Sequence, residues 1–216
     1  MNDARLYVPI QGGRAVNGEI KGVIGDDTGD NISALNVNLN EMTSMYWVRK
    51  HYEELGNPGF VGFAHYRRCL EWDAALLAPN VVFASAYLLP RPVLRYFKMT
   101  LGNVDDAFGH FLNSFSAAGR FPEYGDLDVY CAQRLTYCCN LLLTDRNTFF
   151  RYFSFIEDCI DLCRMLIDSG KVYVAGPRFE DRRKFGYVLE FMTGYWIWHE
   201  ERAKRIAVRR ACKRVF

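Results

Sequence analysis

Residues His65-Tyr66-Arg67-Arg68 set an imidazole, a phenol and two guanidiniums side by side after an apolar run, Phe60-Val61-Gly62-Phe63-Ala64. A guanidinium recognises planar oxyanions through a bidentate fork, so paired arginines at a strand end suit a phosphate or diphosphate. The plainer alternative makes Arg67 and Arg68 surface charges, or partners of the acidic stretch Asp26 to Asp30. That stretch, Gly25-Asp26-Asp27-Thr28-Gly29-Asp30-Asn31, is rich in carboxylates. An EF-hand loop would need Glu at its twelfth position, which counted from Asp26 is Val37, so the calcium-loop reading fails. A solvated turn and a polar lip for sugar hydroxyls both remain open. Further along, Arg182-Arg183-Lys184 precede an apolar helical run that contains Glu190. Basic residues at a helix entry oppose the macrodipole, and a phosphate facing Arg183 would remove the conflict.

Such groups need a folded scaffold, and the composition provides one. The chain has 216 residues, of which 50% are hydrophobic and 15% aromatic, enough for a sizeable core. Its net charge of +2 gives no case for nucleic acid as a partner. There is no apolar run long enough for a transmembrane helix, and no basic-then-apolar signal at the start. The seven cysteines lie in apolar segments without C-x-x-C or H-x-x-x-H spacing, so they read as reduced, buried thiols of a cytosolic protein.

The elements follow from periodicity and punctuation. An extended stretch, Leu6 to Ile10, closes at Gly12-Gly13. Ser33 caps a helix reaching about Leu55, stopped by Gly56-Asn57-Pro58. Strands are expected at Phe60 to Ala64, Val81 to Leu89 and Leu135 to Thr144, the last with Asn140 as its one polar interior member. Helices are expected over 93–120 with a break at Gly109, over Asn147 to Asp168, and from Phe185 onward. The tail, His199 to Phe216, carries seven Lys or Arg against two Glu and reads as a basic helix, either solvated or lying on anionic lipid. Strands alternating with helices indicate an α/β fold with a partly parallel sheet flanked by helices. The expected organisation is a catalytic domain over 1–198 and a helical tail over 199–216.

Three motifs carry a resemblance: Gly25-Asp26-Asp27-Thr28-Gly29-Asp30-Asn31-Ile32-Ser33, then Glu41-x-Thr43-x-x-Tyr46-Trp47-x-x-Lys50, then Gly62-x-x-His65-Tyr66-Arg67-Arg68. Weaker matches are Tyr7-Val8-Pro9-Ile10, Leu89-Pro90, Pro122-Glu123-Tyr124, Asn140 and Arg183-x-x-Gly186-Tyr187-x-x-Glu190. Together they resemble the bacterial glycosyltransferase-like family of unknown function 4422, found in capsular and exopolysaccharide clusters. Members usually begin with a further strand upstream of the Tyr-Val-Pro-Ile segment, so either the start lies upstream or the donor site is reduced.

The resemblance implies a GT-A-like fold and transfer of a sugar, galactofuranose in some relatives, from a nucleotide donor to a saccharide or lipid-linked saccharide. The reduced cysteines lead one to expect a cytoplasmic protein, peripheral on the inner face of the plasma membrane where the basic tail lies on anionic lipid. Many GT-A enzymes hold a divalent metal with D-x-D, but Asp126-Leu127-Asp128 sits in an expected loop rather than at a strand end. No cofactor is therefore expected, with a divalent metal as the less favoured alternative. His65, Tyr66, Arg67, Arg68 and Arg183 would bind the diphosphate, and preorganised cations would stabilise its departure. Asp26, Asp27, Asn31, Glu41 and Asn140 would contact sugar or nucleotide. Glu190, a lone acid in an aromatic, apolar helix, is the first choice for general base, and Asp30 the second. The competing class is a peripheral membrane adaptor with a non-catalytic sugar site.

Overall fold

The computed structural model describes residues 7–100, 105–119, 122–176 and 178–215. The chain divides into two compact units, Met1–Asn57 and Pro58–Phe216.

In the first unit a short parallel pair, β1 (Ile10–Gln11) and β2 (Ile24–Gly25), flanks helix α1 (Arg14–Asn17). The helix expected from Ser33 to Leu55 is broken. A 3₁₀ turn, Ser33–Leu35, runs into α2 (Asn36–Leu39), and a separate helix α3 follows (Met42–Lys50). The break is at Asn40, whose φ of 57° no continuing helix allows. Asn36 Nδ2 fixes the corner by donating to the Asn40 carbonyl (2.7 Å) and to Thr43 Oγ1 (2.9 Å). Apolar periodicity does not register such a corner, because α3 resumes burying Met42, Met45, Tyr46, Trp47 and Val48.

The second unit is built on a mixed sheet in the order β3 (Phe60–Phe63), β6 (Leu135–Asp145), β5 (Val81–Leu88), β7 (Ala207–Arg210). β6 runs antiparallel to both neighbours, and β5 and β7 are parallel. A separate antiparallel pair joins β4 (Arg68–Leu70) and β8 (Lys213–Val215). Helices α7 (Arg146–Asp168) and α9 (Lys184–Arg202) pack together, with α9 along β6. Asp145 caps α7 by accepting from the N–H groups of Asn147 and Thr148, so strand turns into helix without a loop. Phe149, Phe153, Ile156, Ile160 and Cys163 form the buried stripe of α7, as their spacing predicts.

At Gly194 a Cβ would meet Tyr130 Oη at 2.5 Å, Thr136 Oγ1 at 2.7 Å and the Tyr137 carbonyl at 2.7 Å, so only glycine lets α9 lie this close to β6. The approach has a functional consequence, because Glu190 stands one turn earlier on the same face.

Three expectations need correction. Helix α5 (Asp105–Ala117) runs through Gly109; the expected 93–120 helix is instead divided between α4 (Val93–Thr100) and α5. Residues 101–104, like Leu6, lie outside the described residues. Asp126 directly precedes helix α6 (Leu127–Ala132), so Asp126-Leu127-Asp128 is a helix start rather than a loop. The basic tail is helical only to Arg202 and then turns into a strand, because Ala207–Arg210 pairs as β7 with β5 from Val81↔Ala207 to Ala84↔Arg210. Among the described residues no helix is long and apolar enough to cross a membrane.

Candidate active site

The His65–Arg68 cluster is not a strand end. It is a two-residue hairpin turn: His65 N–H donates to the Arg68 carbonyl (2.7 Å) and Arg68 N–H returns to His65 (3.0 Å). Tyr66 and Arg67 form the exposed tip, with the Arg67 guanidinium 4.8 Å from the Tyr66 ring centre. The His65 ring stacks against that of Tyr66, with centres 6.1 Å apart. Arg68 opens β4, is half-buried, and directs Nη1 to the Cys139 sulfur (3.4 Å).

Cys139 lies in the most irregular part of the sheet. Ala84 pairs with Leu142 and Ala86 with Tyr137, so β6 places residues 138–141 opposite Ser85 alone. Cys139 and Asn140 both have left-handed backbones, φ 74° and 50°. Asn tolerates that region, but a cysteine there costs about 1 kcal/mol or more. A bulge of this kind removes N–H groups from the ladder, and Glu190 accepts one of them: Cys139 N–H donates to Oε1 at 2.6 Å. Arg68 from the turn and Glu190 from α9 therefore both contact the bulge at Cys139, the first at its sulfur and the second at its backbone N–H. Asn140 is 3% exposed. Arg183 stands at the N-terminal edge of α9, two turns before Glu190 on the same stripe. Its neighbour Lys184 is buried and paired with Asp106 (2.9 Å), which removes part of the dipole conflict.

The acidic loop belongs to the first unit and is locked from within. Asp26, fully buried, accepts four hydrogen bonds: Gly13 N–H (2.9 Å) and Thr43 Oγ1 (2.6 Å) on Oδ2, Arg14 N–H (3.1 Å) and Ser33 Oγ (2.5 Å) on Oδ1. Asp30 accepts from Tyr46 Oη (3.0 Å) and lies 3.7 Å from Lys50 Nζ. Trp47 Nε1 donates to Thr28, and Trp47 stacks on His51 at 4.5 Å. Asp27 pairs with Arg14 at 3.7 Å, and Asn31 Oδ1 accepts the Ser33 N–H. Thr43, Tyr46, Trp47 and Lys50 of the second motif thus clamp the first. Glu41, half-buried, precedes α3.

Reasoning from sequence missed the bulge and Cys139. An Asn inside an otherwise apolar strand was the available signal, since Asn favours left-handed turns. It also missed that Asp126 accepts from Tyr195 Oη (2.9 Å) and pairs with His199 Nδ1 (2.7 Å), which engages the D-x-D lookalike internally. Burial beside this carboxylate pushes the Tyr195 phenol well above its ordinary value. The seven cysteines are free thiols, Cys69, Cys159 and Cys163 buried and Cys212 exposed. Burial pushes the Cys131 thiol up to about 11.

A family model described as domain of unknown function DUF4422 matches residues 1–98. The N-terminal part of the chain is DUF4422-like. The match spans the three motifs on which the resemblance was read. No curated protein matches the chain. A solved structure of the bifunctional glycosyltransferase WbbM, in its apo form, is similar over 96% of this chain with a TM-score of 0.76 and 19% identity. The chain spans 41% of that protein's length, and the likeness establishes a shared fold.

Proposed function

We propose that the protein is a metal-independent, GT-A-like glycosyltransferase that moves a sugar from a nucleotide-diphosphate donor to a growing cell-surface polysaccharide. Galactofuranose is the donor sugar to try first. The contacts of Arg68 with the Cys139 sulfur and of Glu190 with the Cys139 N–H carry the reading, and the fold shared with WbbM supports it.

In this reading the acceptor hydroxyl oxygen attacks the anomeric carbon while the bond from that carbon to the phosphate oxygen breaks. The bonding pair leaves with the nucleoside diphosphate, and the hydroxyl proton passes to Glu190. Arg68, aided by His65, Tyr66, Arg67 and Arg183, stabilises the charge building on the leaving group. Asn140 offers an amide to the sugar. Asp27, Asp30, Asn31 and Glu41 lie in the first unit and are candidates for sugar or nucleotide contacts on that unit's own polar loop. Asp26, its oxygens already holding four donors, shapes the loop. The acceptor is a saccharide or lipid-linked saccharide, met at the inner face of the membrane. The adaptor reading loses the amphipathic tail helix on which it relied, because Ala207–Arg210 is a strand.

The test is a thermal-shift screen of nucleotide-sugars followed by turnover of the best binder. EDTA should leave turnover unchanged. Strict Mn²⁺ or Mg²⁺ dependence would overturn the arginine-for-metal role, and failure of every nucleotide-sugar to bind would overturn the transferase reading.

A further inference from the structure

The second unit carries a groove of roughly 710 Å³ to which neither the three motifs nor the proposed chemistry assigns a role. Its wall includes Glu71, Trp72, Asp73, Glu201, Arg209 and Arg210. The volume is within the usual range for a small-ligand site. We propose that this groove binds a neutral saccharide, with Trp72 as the platform for the sugar ring and the surrounding carboxylates and guanidiniums as hydroxyl partners.

Three observations point to that class. Trp72 is half-buried and rests on an apolar cluster of Leu70, Phe83 and Leu141, so an indole face is held in place before any ligand arrives. A flat aromatic surface suits the C–H face of a pyranose or furanose. Next, Glu201 is fixed: Tyr137 Oη donates to its Oε2 (2.5 Å), and burial followed by this hydrogen bond pushes the Tyr137 phenol far up, so it remains a donor. Finally, the lining residues include three carboxylates and two guanidiniums. That balance repels a nucleoside diphosphate, whereas alternating acceptors and forked donors fit vicinal hydroxyls.

The groove also adjoins the Arg68–Cys139–Glu190 centre. Trp72 and Cys139 pack against the same apolar cluster, and β4 leads from Arg68 through Leu70 directly to Glu71 and Trp72. A saccharide seated there is the acceptor; that role rests on the transferase reading above, whereas saccharide binding itself does not.

The experiment is saturation-transfer NMR on the full chain with methyl β-galactopyranoside, methyl β-galactofuranoside and lactose, alongside a separate calorimetric titration with UDP. At least one saccharide should show transfer. Trp72→Ala should weaken it about tenfold, while Trp72→Phe keeps most of it. Glu201→Gln and the exposed Arg209→Ala guard against a Trp72→Ala variant that merely unfolds, and each should weaken saccharide binding with UDP affinity unchanged. The proposal is overturned if none of the three saccharides shows transfer, if all four variants bind as wild type, or if UDP displaces the saccharide from the groove. Saccharide binding through Trp72 in a protein that binds none of the nucleotide-sugars of the thermal-shift screen would sink the transferase reading and leave the groove assignment standing.

Discussion

Replacing Asp26 by Asn would remove one charge and change almost nothing in shape, yet the structure predicts a large local effect. Each carboxylate oxygen receives one backbone N–H and one hydroxyl: Gly13 and Thr43 on Oδ2, Arg14 and Ser33 on Oδ1. The hydroxyls can rotate and accept from an amide NH₂. The backbone N–H groups cannot. Whichever way the new side-chain amide turns, one of them faces another donor in a fully buried site. A charge-assisted hydrogen bond is lost and a buried N–H is left unmet, together about 3 kcal/mol. Hydrogen exchange followed by mass spectrometry on the full chain gives the local reading. Amides of residues 11–17 and 40–50 should exchange about a hundredfold faster, with residues 58–216 unchanged. Asp30→Asn is the control, because its side chain is 62% exposed and its pairing with Lys50 is at the surface. It should cost well under about 1 kcal/mol. Wild-type exchange in Asp26→Asn, or a larger effect from Asp30→Asn, would refute this account of the motif.

Gly194→Ala forces a methyl group to within 2.7 Å of the Tyr137 carbonyl, so it should cost about 1 to 3 kcal/mol in thermal or urea unfolding and reduce turnover by moving Glu190 off Cys139. At Asp145, desolvation raises the carboxyl pKa but is outweighed by hydrogen bonds from the Thr148 side chain and the N–H groups of Asn80, Thr148 and Asn147, which hold it below the ordinary carboxylate value. The folded pKa being the lower, this stabilisation is full above the unfolded value of about 4 and is lost as pH falls through the folded value. Asp145→Asn should therefore lower stability by about 1 kcal/mol at neutral pH, with the difference shrinking in acid unfolding curves below about pH 4. Glu190→Gln should keep donor affinity and lose turnover, read by comparing calorimetry with single-turnover rates; loss of affinity alone would argue for a purely structural Glu190.

The regular elements of the second unit were legible from apolar runs, their punctuation and, in α7, periodic burial. The strand at 81–88 ends within a residue of where Pro90 stops an extended apolar segment, and the helix ending at Asp168 falls where the 3.6 period puts it. What was not legible depends on particular side-chain hydrogen bonds that apolar periodicity does not register. The corner at Asn40 is made by Asn36, and the bulge at Cys139 by a carboxylate 51 residues away. The tail's basic residues suggested a helix, but the Ala207–Arg210 segment pairs in parallel along the edge of β5. The functional motifs were recognisable by type, but their roles were not. Asp26, expected to contact sugar or nucleotide, is buried beneath two hydroxyls and two backbone amides, while Glu190 reaches the Cys139 N–H from an α9 that lies close to β6 at Gly194.

The claim that the β6 bulge is the centre of a transferase is tested most directly by titrating UDP into wild type, Arg68→Ala and Glu190→Gln by calorimetry, with circular dichroism to establish that each is folded. Loss of a charged phosphate contact typically removes about 1.5 to 3 kcal/mol, so Arg68→Ala should bind at least about tenfold more weakly while Glu190→Gln binds as wild type. Equal UDP affinity in wild type and a folded Arg68→Ala would contradict the account.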